Sequence, residues 1–156
     1  MLMTAYELLL NEAKTKHLAV LEKDFKYYDG LIIGKKIGIR KGIESERRKA
    51  DVLAEEIGHS ERNAGDILDQ SVSENRKQEL QARKWAYDKR IGLEGIVSAF
   101  EAGCKTYYDT AEYLEVSEEF LRDAVKCYND VYGVSAKVGN YIVYFKPSLL
   151  VLEEKK

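Results

Sequence analysis

The hydrophobic period changes twice in the first third of this 156-residue chain, and that change limits the fold more than any other feature. Residues 4–16 set Ala5, Leu8, Leu9 and Ala13 at helical spacing, with Thr4 and Glu7 as the two halves of a capping box. The next stretch, HLAVLEKDFKYYDGLIIGKKIGIRKG, is rich in β-branched and aromatic residues and is punctuated by Gly30, Gly34, Gly38 and Gly42. It predicts three short strands near 18–24, 29–33 and 36–40, joined by tight turns. Helical spacing returns after Ser45, a candidate cap, with Ala50, Leu53 (or Ala54) and Ile57 as the apolar face.

The remainder is mostly helical. A loop, SERNAGDILDQSVS, leads to Ser73, which is placed to cap a long helix from about 75 to 101. Gly92 offers a break in it, and Trp85, Ile91, Leu93 and Phe100 suggest that it is substantially buried. Residues 106–131 read as two shorter helices, with Val116-Ser117 as the turn and Ser117 as the second cap. The tail, YIVYFKPSLLVLE, alternates like a strand that Pro147 places at an edge or ends. Helix, three strands, helices and a terminal strand make an α+β arrangement. The expected division is a first domain over 1–103 and a helical, helix-turn-helix-like subdomain with the terminal strand over 104–156.

Composition narrows the function classes. Hydrophobic residues make up 45% and charged residues 33%, which is globular rather than disordered. A net charge of -2 advertises no direct nucleic-acid partner. No apolar run approaches the ~18 residues that span a bilayer, and the start reads as an amphipathic helix, so no membrane partner and a cytoplasmic location are expected. Cys104 and Cys127 fit no zinc or redox spacing and are read as reduced packing residues.

Chemistry concentrates in Ala54-Glu55-Glu56-Ile57-Gly58-His59. Glu55 and His59 stand four residues apart on a predicted helix, so one face presents both to a single ion. Glu56 lies about 100° round the helix, where a carboxylate reaches a water beside the ion rather than the ion. That is the arrangement of H-E-x-x-H, with Glu55 in the place of the first histidine. A catalytic zinc takes three protein ligands. Glu79, on the next long helix, is the candidate third, because Ala82 and Trp85 let that helix pack closely on the first. Asp66 is a rival that reads better as a turn or cap residue. Standing alone, E-E-x-x-H is more often a solvated face, and His17 reads as an ordinary, partly exposed histidine.

With E-x-x-H on one helix, a loop of about twenty residues, and E-x-x-A-x-x-[FW]-A on a second, the chain resembles the ImmA/IrrE metallopeptidases. The prelude YDGLIIGKKIGIRKG is similar to that family's strand region, and LAEEIGH and GDILDQS look like its phage-borne branch. The resemblance covers residues 4 to about 100. It implies a minimal zincin-like metallopeptidase fold with an active-site helix pair. It also implies Zn2+ (or Mn2+) as cofactor and limited proteolysis of a phage or mobile-element helix-turn-helix repressor, an anti-repressor activity. His59 and Glu79 match the family's ligands and Glu56 its general base, while Glu55 departs from the pattern. Two carboxylates and one imidazole suit Zn, Mn or Fe, and leave bound water less acidic than a His-rich shell would.

Two other readings stand beside this one. A non-catalytic relative would keep the fold and act by binding a repressor or another protein. A DNA reader built on residues 109–131 would need Lys or Arg where the second helix starts, and Ser117, Glu118 and Glu119 are there instead. The tyrosines, clustered at Tyr27-Tyr28, Tyr107-Tyr108 and in the tail, read as packing residues, any one of which could serve as an oxyanion donor.

Overall fold

The computed structural model describes residues 2–62 and 72–154. Among them it forms mixed α+β structure in two compact units, Met1–Ala86 and Tyr87–Lys156.

The first unit opens with α1 (Ala5–Thr15). Its capping box forms as the sequence predicts: the Glu7 amide donates to Thr4 Oγ1 at 3.1 Å and the Thr4 amide to Glu7 Oε1 at 3.3 Å. Strands β1 (Ala19–Lys23), β2 (Gly30–Ile33) and β3 (Lys36–Arg40) fall inside the three predicted stretches. They pair in the order β1-β3-β2, with β1 parallel and β2 antiparallel to β3. The central strand therefore buries Ile37 and Ile39 on one face, and β2 is left at an edge.

Helix α2 (Glu46–Arg62) packs on α1, β2 and β3. Ser45 caps it by accepting from the Arg48 amide at 3.1 Å. Ala50, Leu53, Ala54 and Ile57 are fully buried, as their period predicts. An ion-paired corner fixes its start: Asp29 accepts from Arg40 Nε at 2.9 Å and from Arg48 Nη2 at 3.3 Å. Both guanidinium groups hold the Asp29 carboxyl below the usual carboxylate range. Lys49 pairs with Glu22 of β1 at 2.7 Å, and Lys16, which caps α1, with Glu61 near the other end of α2 at 2.7 Å.

Three expectations change here. Ser60 to Arg62 extend α2 instead of opening the loop, because the helix runs on past His59. Helix α3 (Val72–Arg90) starts ahead of Ser73, which stands in its first turn and is not its cap. Asp66 lies outside the described residues.

The predicted break falls where Gly92 allows it: α3 ends at Arg90, and α4 (Gly92–Glu101) begins with Gly92 at φ +67°. The two compact units divide at Ala86/Tyr87, within α3. The reason is that α4 packs on elements of the second unit, α5 (Tyr107–Leu114) and a second sheet. Burial along these helices is also redistributed. Ile91 is buried, but Phe100 is 38% exposed, and Ala86, Ile96, Val97 and Ala99 supply the interior.

In the second unit, Glu115 closes α5 in a left-handed conformation, and Ser117 caps α6 (Glu118–Tyr132) by accepting from the Phe120 amide at 3.1 Å. The tail holds more strand than predicted. β4 (Ser135–Val138), β5 (Tyr141–Tyr144) and β6 (Leu150–Glu153) form an antiparallel meander around Val143 and Val151. Pro147 falls in the connection between β5 and β6, three residues past the end of β5.

Candidate functional site

One turn of α2 carries Glu55, Glu56 and His59, and the 3.6-residue period gives each a different burial. Glu56 is directed inward and is 9% exposed, while Glu55 and His59 are partly exposed on the adjoining stripe. Two glycines let the neighbouring backbones come close. A Cβ on Gly30, at the start of β2, would stand 2.6 Å from Val52 Cγ1 and 3.0 Å from Glu56 Cγ. The edge strand thus lies directly against the Glu56 side chain. A Cβ on Gly58 would overlap the Ala82 carbonyl oxygen and stand 3.2 Å from the carbonyl carbon. Gly58 and Ala82 therefore bring α2 and α3 together at backbone distance, which is the role expected of the small residue at 82.

That approach brings Glu79 to His59: Glu79 Oε2 lies 3.3 Å from His59 Nε2. Glu79 Oε1 meets Arg83 Nε at 3.1 Å, one turn along α3. Trp85, the other residue expected to bring the helices together, stands under the Lys16 ammonium, 6.0 Å from its ring centroid. Glu55 belongs to the same electrostatic neighbourhood, but among the described residues no three His, Cys, Asp or Glu side chains are gathered as ligands of one ion. Of the three expected ligands, His59 and Glu79 meet, and Glu55 does not close the set.

The carboxyls of this site are uncomfortable. Burial pushes Glu55 up to about 7, against the pull of Arg83 and Arg48, with Asp51 and Glu79 adding repulsion. Burial pushes Glu56 to about 7 as well, and its charged neighbours, Glu55 and Glu79, both raise it further. Among the described residues, no cation figures among the causes that set the Glu56 proton affinity. Desolvated, like-charged carboxyls of this kind gain from a proton or a divalent ion. The donor set of two carboxylates and one imidazole suits a divalent ion of the zinc, manganese or iron type. The residues present therefore fit such an ion in chemistry, while among the described residues Glu55 does not join His59 and Glu79 in a ligand set.

Three contributors escaped the reading of the sequence. Asp51, one turn before Glu55, is fully buried. Its i, i+4 relation to Glu55 was a visible signal. Arg83, four residues after Glu79, had the same kind of signal. Arg48 had none, since its tie to Asp29 crosses from α2 to the sheet.

The chain matches no model of a known protein family, no curated protein and no solved structure. No helix among the described residues is long and apolar enough to cross a membrane.

Proposed function

We propose that the chain is a metal-dependent endopeptidase of the zincin-like type. The observation that carries this reading is the junction of α2 and α3. His59 and Glu79 meet at 3.3 Å across a backbone contact, beside a buried Glu56 whose proton affinity Glu55 and Glu79 both raise. Glu55, His59 and Glu79 would hold a zinc or manganese ion. Such an ion, when bound, polarises a carbonyl and acidifies water.

The chain's own residues supply the rest. Glu56 takes a proton from the attacking water and returns it to the leaving amine, a role that suits a carboxyl whose proton affinity lies near neutrality. Strand β2 is an edge strand lying against Glu56, so an extended peptide added to it would pass the general base. Arg83 orients Glu79 and keeps its second oxygen toward His59. By resemblance to the ImmA/IrrE metallopeptidases, the substrate is a phage or mobile-element helix-turn-helix repressor. Acidic Glu118 and Glu119 in the first turn of α6 favour a protein partner over DNA.

One observation favours a second reading. Glu79 is already paired with Arg83, and Glu55 does not complete a ligand set among the described residues. A relative that keeps the fold and acts on a repressor by association alone would look like this. Elemental mass spectrometry of the purified protein, wild type beside His59→Ala, separates the two. About one zinc or manganese per chain, lost in the variant, is the result expected of the peptidase. No metal after incubation with excess of both ions would leave binding as the function.

A further inference from the structure

The second unit contains a cavity of about 440 Å3 that the peptidase reading does not use. Its size lies within the ~300–1,000 Å3 of small-molecule sites. Part of the wall is apolar, with Ile96 and Phe100 from α4, Leu149 just before the last strand and Val151 in it. The Leu149 amide donates to the Tyr107 hydroxyl at 3.4 Å, which ties that wall to α5.

Polar residues interrupt this lining, and Thr110 and the charged groups among them bear on a ligand. Thr110 is 6% exposed and lines the cavity. Its hydroxyl can donate to or accept from a polar atom of a ligand. The second feature is charge: the cavity is lined by Lys105 and Arg122 against one carboxylate, Glu118. Arg122 is held in place, its guanidinium 4.1 Å above the Tyr107 ring and 3.7 Å from Glu118. Lys105 has no ion pair among the described residues.

We infer that this cavity, between α4, α5 and the start of β6, binds a small carboxylate with an apolar body. The apolar part lies against Ile96, Phe100 and Val151, Thr110 meets a polar atom of the ligand, and Lys105 with Arg122 takes the carboxylate. A single negative charge is the best match to two cations and one anion. An uncharged apolar molecule would leave Lys105 unused, and a dianion would meet repulsion from Glu118. The inference rests on residues of the second unit alone, so it stands or falls apart from the metal site.

The test uses the full-length protein with sodium octanoate as probe and 1-octanol as its uncharged control. Cys104 lines the same cavity while Cys127 is buried, so maleimide labelling of Cys104 reports occupancy. Isothermal titration should show saturable binding of octanoate at one site, with Cys104 labelling slowed in parallel. Lys105→Ala, at an exposed position, should weaken octanoate about tenfold and leave octanol unchanged. Thr110→Val, nearly the same shape, should weaken it severalfold with an unchanged far-UV spectrum. Absence of saturable binding, binding indifferent to Lys105→Ala, or equal affinity for octanol would each overturn the assignment.

Discussion

Helix α6 buries Phe120, Leu121, Ala124, Val125, Cys127 and Tyr128, of which only Tyr128 carries an oxygen, and its hydroxyl donates to Asp88 at 2.9 Å. Helix α2 buries a comparable apolar stripe, Ala50, Val52, Leu53, Ala54 and Ile57, but inserts Asp51 and Glu56 into it. Burial costs an ionised carboxylate several kcal/mol unless a partner compensates, whereas it stabilises a Leu or Ile by roughly 1.5–3 kcal/mol. The stripe of α6 is what packing alone selects. That of α2 departs from it at Asp51 and Glu56, five positions apart, where packing alone would not place a carboxyl.

The largest effect that can break this contrast comes from the residues the two helices share in kind. Leu53→Ala and Leu121→Ala should each lower stability to urea by about 2–5 kcal/mol, since both leave a cavity in a fully buried stripe. A much smaller loss at Leu53 would mean that α2 is not packed as tightly as α6, and the comparison would fail. Next in size is Glu56→Gln. The folded protein holds the Glu56 proton up to about 7, whereas the unfolded chain releases it near 4.5. Between those values the folded form binds more protons, so the contribution of Glu56 to stability falls as pH rises. Glu56→Gln should flatten part of that slope and stabilise the protein above pH 7 by roughly 1–3 kcal/mol. Urea titrations from pH 4 to 8 measure it, and an unaltered slope would remove Glu56 from the list of strained groups. The smallest effect tests the opposite sign. Asp29 is 38% exposed and its carboxyl is held low by Arg40 and Arg48. Its contribution is present above its ordinary value and fades as pH falls through the folded one. Solvent screening keeps the loss in Asp29→Asn below about 1 kcal/mol, read as a change in thermal midpoint at pH 7 that vanishes in strong acid.

How much of this was legible depended on whether the cause was local. Caps at Thr4, Ser45 and Ser117, the three strands and the apolar face of α2 rest on periodicity and short-range hydrogen bonds, and each is visible in the string of residues. The second sheet was legible only in part. Val138-Gly139-Asn140-Tyr141 carries a two-residue hairpin turn, but β4 is a plain Ser-Ala-Lys-Val with little β-branching to betray it. The unit boundary was hidden because it depends on which neighbours α4 packs against. In the candidate site, Glu55 and His59 announced themselves through spacing along one helix. The clamp of Asp29 on Arg48 and the inward turn of Asp51 depend on where the sheet lies, which no window of sequence reports.

The missing side chain at Gly58 has a consequence for how a site like this can be lost. Each residue turns a helix by about 100° and advances it by about 1.5 Å, so α3 shifted by one position would swing Glu79 away from His59. The gap at Gly58, filled by the Ala82 carbonyl, works as a notch that accepts one alignment of the two helices. A single methyl there would lift α3 out of the notch while every acidic residue, imidazole and guanidinium stayed in the chain. Loss of function at such a place would leave no mark on the chemical inventory. A survey that scored only the charged positions would pass over it.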